Sequence, residues 1–341
     1  MRLTHDSMPP VTIQQMIRSF FCLSAVAGAL FSLPSCNTTQ QASVTVPTQM
    51  SQAPTQNGAP AEGPYSYPNP AGVAGAGSVQ APQPTPISFN NWGGQSNSVA
   101  PNITAKAAIL VDQSGRVLYE KNADSRLPTA STQKLLLGLM VAERGNMSGS
   151  ITITEPDTWA EPTVIGLRTG EVYNRHDLLK AVLVRSCNDI ARTLARDVAG
   201  SEAGFVSQVN ARARSLGMSN SYFTNSNGLP SPSGQYSTAR DLSKMAMAAY
   251  RNPIVRDAIS TKVYSFRMAN GTVKTLYNTN QVLKNFPYCC GGKTGYTNAA
   301  GRCLVSIASN GGKTVYSVIL GSTSPAVSSE SEALLRYGLG M

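Results

Sequence analysis

LPTASTQKLLLGLM, residues 127–140, sets Ser131 three residues ahead of Lys134 and follows the pair with an apolar run. The run continues to Gly145, so it has the length and apolar content of a buried helix stopped by glycine. At the start of such a helix, positions i and i+3 share a face, and the lysine amine can reach the serine hydroxyl. Alone, the pair proves nothing. About one S-x-x-K arises by chance in a chain this long, and a capping serine beside a snorkelling lysine reads as well. The rest of the chain has to decide.

Upstream, AAILVDQSGRVLYEKNA (107–123) reads as two strands around a glycine-containing turn. Downstream the middle is helical. RHDLLKAVLV and NDIARTLARDVAG flank a break at Arg185-Ser186-Cys187, and Ser201 caps a helix with Phe205, Val209, Ala213 and Leu216 at helical spacing. STARDLSKMAMAAYRNP is a further helix, ended by Pro253. From Lys262 the pattern changes. VYSFRMANGTVKTLYN is a hairpin around Asn270-Gly271, CCGGKTGYT and GRCLVSIASNGGKTVYSVILGS supply more strands, and SESEALLRYGL closes as a helix. Two strands, then helices, then antiparallel strands and a last helix make an α+β plan. The expected packing is an antiparallel sheet flanked by terminal helices, with a helical cluster inserted between its strands.

The charge and the scarce histidines narrow the chemistry. The chain of 341 residues has a net charge of +10, and of its basic and acidic residues only Arg2, Arg18, Asp6 and Glu62 precede Lys106. That basicity reads as a solvated basic face, with an anionic partner such as cell-wall polymer as the pointed alternative. Nucleic acid is not expected, because Lys and Arg form no block interleaved with aromatics. His5 and His176 are the only histidines, so a Ser-His-Asp triad would rest on His176. There is no H-E-x-x-H and no paired C-x-x-C, and neither a metal nor another cofactor is expected. Cys187, Cys289, Cys290 and Cys303 read as free packing thiols, with a Cys290–Cys303 link as the alternative.

The first 36 residues read as an export signal. Arg18 precedes SFFCLSAVAGALFSLPSC, whose apolar run of roughly 13 residues is too short to span a bilayer. Leu33-Pro34-Ser35-Cys36 resembles a bacterial lipoprotein cleavage box, with Cys36 as the lipidated residue and Pro34 as a departure from the usual small residue. A plain secreted protein and an uncleaved anchor are the alternatives, and Met16 is an alternative start. The expectation is an exported protein at the periplasmic or cell-envelope face, held to the membrane through the N-terminal lipid. Residues 37–103, rich in Pro, Gln, Gly, Ala and Ser, read as a disordered tether reaching roughly 45 Å. Residues 104–341 are then the catalytic domain.

Three motifs stand in order: Ser131-Thr-Gln-Lys134, Ser186-Cys187-Asn188 and Lys293-Thr294-Gly295. A lysine desolvated near a second lysine has its pKa lowered and can act as a neutral base, so no histidine is required. Ser186, at a break between helices, can relay a proton, and Asn188 can bond a substrate amide. Gly295 leaves room for substrate along a strand edge. The set and its order resemble the penicillin-recognising serine acyl enzymes, with a β-lactamase/transpeptidase-like fold. LPTASTQK, VLVRSCNDIA, SNGLPSPSGQYSTARDL and GGKTGYTNAAGRCLV are most similar to the D-alanyl-D-alanine carboxypeptidases among the low-molecular-mass penicillin-binding proteins.

That resemblance implies Ser131 as acylated nucleophile, Lys134 as base, Ser186 as relay and Asn188 as substrate clamp. It implies Lys293 and Thr294 as holders of the terminal D-alanine carboxylate, and the N–H groups of Ser131 and Tyr296 as oxyanion hole. Substrates would be peptidoglycan stem peptides ending in D-Ala-D-Ala, with β-lactams as acylating inhibitors. Members often carry an arginine just before the last helix. SPAVSSESEA has none, which leaves the carboxylate to Lys293, Thr294 or Arg302. A D,D-endopeptidase cutting cross-links is the nearer alternative. A class A β-lactamase is more remote, because Glu202 is the only glutamate between Asn188 and Lys293.

Overall fold

The computed structural model describes residues 99–341. The signal, Cys36 and most of the tether lie outside the described residues. Strands β1 (Ala107–Asp112) and β2 (Val117–Lys121) form the expected hairpin. A 3-10 turn, Ala130–Gln133, leads into α1 (Lys134–Arg144), which Gly145 ends. A short ribbon, β3 (Ser150–Thr152) with β4 (Val172–Asn174), precedes α2 (Arg175–Arg185), α3 (Asn188–Ala199), α4 (Glu202–Ser215), α5 (Ala239–Arg251) and α6 (Pro253–Ser260). Strands β5 (Val263–Arg267) and β6 (Val273–Tyr277), then α7 (Gln281–Asn285), lead to β7 (Cys289–Thr297), β8 (Gly301–Asn310), β9 (Lys313–Ser322) and α8 (Ala326–Leu339).

The main sheet is antiparallel throughout, in the order β2-β1-β9-β8-β7. Its two faces follow the period of two along each strand. Ala107, Ile109 and Val111 of β1 join Val305, Ile307, Val318 and Leu320 in one core with the inserted helices. Ala108, Leu110, Leu304, Ala308 and Ile319 face the opposite way and meet Leu334 and Leu335 of α8. Burial on both faces is why these strands read as continuous apolar runs. Ile103 belongs to the second core at 2% exposure, so the folded chain includes it.

Two elements differ from the sequence reading. The β5–β6 hairpin forms its own two-stranded sheet and takes no part in the main one. Only Phe266 and Leu276 are buried along its strands, too little apolar surface for a place inside a sheet covered on both faces. Pro253 ends α5 but also opens α6, where Asn252 accepts N–H bonds from Ile254 and Val255. Proline at a first helical position gives up an N–H that has no partner there.

β7 is the edge strand that matters. Its outer edge is unpaired within the sheet and faces the turn that carries Ser131.

Candidate active site

The three motifs come from three parts of the fold and meet beside β7. Ser131 sits in the 3-10 turn just ahead of α1, and Lys134 is the first residue of α1, fully buried. Ser186 caps the C-terminus of α2 at φ 70°, ψ 25°, and Asn188 begins α3. Lys293, Thr294, Gly295 and Tyr296 follow one another on β7. The snorkelling reading of Lys134 is excluded by its burial.

Lys134 has three close neighbours. Its Nζ lies 2.7 Å from Ser131 Oγ, 2.7 Å from Asn188 Oδ1 and 2.8 Å from the Asn227 carbonyl oxygen. The Asn188 amide is fixed in this sense because its Nδ2 donates to the Pro162 carbonyl at 2.5 Å. A neutral amine has two hydrogens and one lone pair. Asn188 Oδ1 and the Asn227 carbonyl can only accept, so they take both hydrogens and leave the lone pair to the serine O–H. Burial, and then the positive charge of Lys293, hold the Lys134 amine well below the usual lysine range.

Lys293 is the second buried lysine. Its Nζ donates to Ser186 Oγ at 2.8 Å and to the Thr294 carbonyl at 2.9 Å, and burial lowers its pKa to about 7. Lys293 is 1% exposed and withdrawn behind Ser186, so Ser186 and Thr294, rather than Lys293, line the open cleft. Thr294 Oγ1 shares a 2.6 Å hydrogen bond with Thr279 Oγ1.

Close packing sets the alignment of Ser131 and the strand. A Cβ on Gly295 would lie 2.8 Å from the Thr129 carbonyl oxygen and 2.9 Å from Ser131 N. Only glycine lets β7 come this near to the turn that carries Ser131. From the other side, Gly228 at φ +85° presses the Asn225–Leu229 turn onto Ala130, where a Cβ would fall 2.2 Å from the Ala130 oxygen. The cleft above holds about 530 Å³, and its lining includes Ser131, Ser186, Asn188, Thr294, Tyr296 and Arg302.

Several contributors were not singled out from sequence. The Asn227 carbonyl accepts from Lys134 and stands 3.0 Å from Ser131 Oγ, yet it acts through its backbone oxygen, which no residue type announces. Asp189, 1% exposed, accepts N–H bonds from Ile165, Gly166 and Leu167 and so holds the loop that follows Pro162. Thr279 and Arg185 line the cleft without belonging to any motif. Glu202 is tied to Ser226, accepting from its N–H at 2.8 Å and its hydroxyl at 3.1 Å, and does not line the cleft. The four described cysteines are free thiols, three of them buried and Cys290 partly exposed. The guanidinium of Arg302 lies 4.2 Å from the centre of the Tyr296 ring.

A buried lysine whose pKa is held low, a serine at hydrogen-bond distance and an edge strand beside them fit a serine acyl enzyme of the penicillin-recognising fold. The D-alanyl-D-alanine carboxypeptidase family, peptidase family S11, matches residues 94–324, and the chain belongs to it. It is a serine hydrolase. It is 34% identical over 215 residues to the D-alanyl-D-alanine carboxypeptidase DacB2 of Mycobacterium tuberculosis, covering 62% of this chain and 73% of that one. It is also 33% identical over 209 residues to a D-alanyl-D-alanine endopeptidase of Pseudomonas aeruginosa, covering 60% and 66%. Among solved structures, the D-alanyl-D-alanine carboxypeptidase of Mycobacterium tuberculosis H37Rv superposes with a TM-score of 0.68 at 31% identity, covering 72% of this chain and 95% of that one.

Proposed function

We propose that the protein removes the terminal D-alanine from peptidoglycan stem pentapeptides through an acyl-enzyme on Ser131. The observation that carries this is the set of three contacts to Lys134 Nζ, which leaves its lone pair for the serine proton. Ser131 Oγ attacks the penultimate D-alanine carbonyl as Lys134 takes its proton. The N–H groups of Ser131 and Tyr296 stabilise the oxyanion, a role supported by the approach of β7 at Gly295. The C–N bond then breaks, and the proton passes from Lys134 by way of Ser186 to the leaving amine. Water hydrolyses the ester, giving the shortened peptide acid and restoring the Ser131 hydroxyl. Asn188 clamps the substrate amide. Ser186, Thr294 and Arg302 meet the terminal carboxylate, with Lys293 acting through Ser186. No cofactor enters.

The commitment of Glu202 to Ser226 supports slow release of β-lactams in place of turnover. Incubation with penicillin should give a stable mass adduct on the wild type and none on Ser131→Ala. Rapid hydrolysis without accumulation would make the protein a β-lactamase, and no reaction would end the acyl-enzyme reading. The second reading, D,D-endopeptidase, is favoured by the endopeptidase relative and by the cationic cleft. Export and lipidation at Cys36 rest on the leader sequence. Radiolabelled palmitate should enter the protein in a cell and be lost with Cys36→Ser.

A further inference from the structure

Arg185 belongs to none of the three motifs. It is the last residue of α2, exposed, and it lines the same cleft as Arg302. Elsewhere the guanidinium groups of Arg175, Arg196, Arg212 and Arg240 each hold a carboxylate. Among the described residues Arg185 has neither an ion pair nor a side-chain hydrogen bond, and no Asp or Glu lines the cleft. The cleft therefore carries guanidinium groups on two walls, one helical and one from the sheet, with no internal anion to neutralise them.

Its position narrows what Arg185 can bind. The adjoining Val184 carbonyl accepts the Thr279 N–H at 3.2 Å, and Thr279 Oγ1 meets Thr294 Oγ1 at 2.6 Å. Arg185 thus stands at the Lys293–Thr294 end of the cleft, beyond the nucleophile beside Gly295, where the leaving group must depart. A single D-alanine brings one carboxylate, which Ser186, Thr294 and Arg302 already serve. Resting on the acyl-enzyme reading above, we propose that Arg185 binds a second carboxylate carried by the leaving group. The acceptor half of a cross-linked stem-peptide dimer is a leaving group of that kind. Arg185 is then a specificity residue that sets how well the enzyme cuts cross-links relative to linear pentapeptide.

The test compares kcat/KM on a cross-linked muropeptide dimer and on linear pentapeptide for wild type, Arg185→Gln and Arg185→Lys. Arg185→Gln should lower the dimer-to-pentapeptide ratio roughly tenfold, mainly through KM, and Arg185→Lys should recover part of it. Amidating the acceptor carboxylates of the dimer other than the one beside the scissile nitrogen should lower the wild-type ratio by a similar factor and leave that of Arg185→Gln unmoved. A ratio unchanged by Arg185→Gln, whether both rates fall together or neither moves, overturns the proposal. Formation of a penicillin adduct on Arg185→Gln shows that its site is assembled. Absence of an adduct on the wild type would sink the acyl-enzyme reading and this proposal with it. An adduct with an unchanged ratio overturns this proposal alone.

Discussion

Ser186 occupies a backbone conformation that suits glycine. At φ 70° it ends α2 in the left-handed region, where a Cβ costs about 1 kcal/mol. The hydroxyl explains why glycine is not there, because it bonds the buried Lys293 and opens onto the cleft. Two variants separate strain from chemistry. Ser186→Gly and Ser186→Ala both lose the hydroxyl, but only alanine keeps the strained Cβ. Both should slow penicillin acylation by roughly 100-fold, while the glycine variant is more stable than the alanine variant by about 1 kcal/mol in urea unfolding. Equal stabilities would show that the turn relaxes when the hydroxyl leaves.

The sheet contributes to the site through a single strand. β7 lies at the edge, so one side pairs with β8 and the other is open to a substrate peptide that can add as a further strand. Its approach to the 3-10 turn depends on the missing side chain at Gly295. Gly295→Ala must push the strand from the Thr129 carbonyl or turn Ser131 N away from it, and a shift of a few tenths of an ångström spoils an oxyanion hole. The expected result is acylation by penicillin slowed at least roughly 100-fold, measured by stopped flow. A change below about threefold would mean that β7 yields without cost to the chemistry. The helices contribute differently. The break between α2 and α3 was plain in RSCN, since two helical runs flank it, but that Asn188 turns one amide atom to Lys134 and the other to Pro162 belongs to the tertiary contacts.

Two buried lysines in one molecule tie its stability to pH. Burial lowers the Lys293 pKa to about 7 in the folded protein, against the usual lysine value of about 10.5 in the unfolded chain. The unfolded chain therefore binds more protons between these values, and this residue's contribution to stability rises as pH climbs from about 7 towards 10.5. Below pH 7 its full destabilising effect is present. Lys134 acts in the same direction. Lys293→Met, which keeps the volume and removes the charge, should flatten the rise of Tm with pH relative to wild type. It should raise Tm at pH 6 by roughly 3–6 °C while acylation is lost. A Tm–pH slope equal to that of wild type would show that Lys293 stays protonated across the range. In the proposed mechanism that loss of stability is matched by a base that works without histidine.

Much of this was legible in the chain. The strands β1, β8 and β9 follow from apolar runs, α1 and its glycine stop from LLLGLMVAERG, and the residues that meet at the cleft from three motifs whose order is informative where each alone is not. The place of the β5–β6 hairpin was not legible, because local pattern shows that strands form but not which sheet receives them. Asn227 was hidden because a backbone oxygen has no sequence signature, and Arg185 because an unpaired arginine looks like any other until its neighbours are known. By itself the sequence determined residue chemistry and element type, which depend on local composition and period. Only the tertiary structure decided the lone-pair direction at Lys134, the withdrawal of Lys293 behind Ser186 and the acid-free cleft. Each of these depends on groups far apart in the chain meeting within a few ångströms.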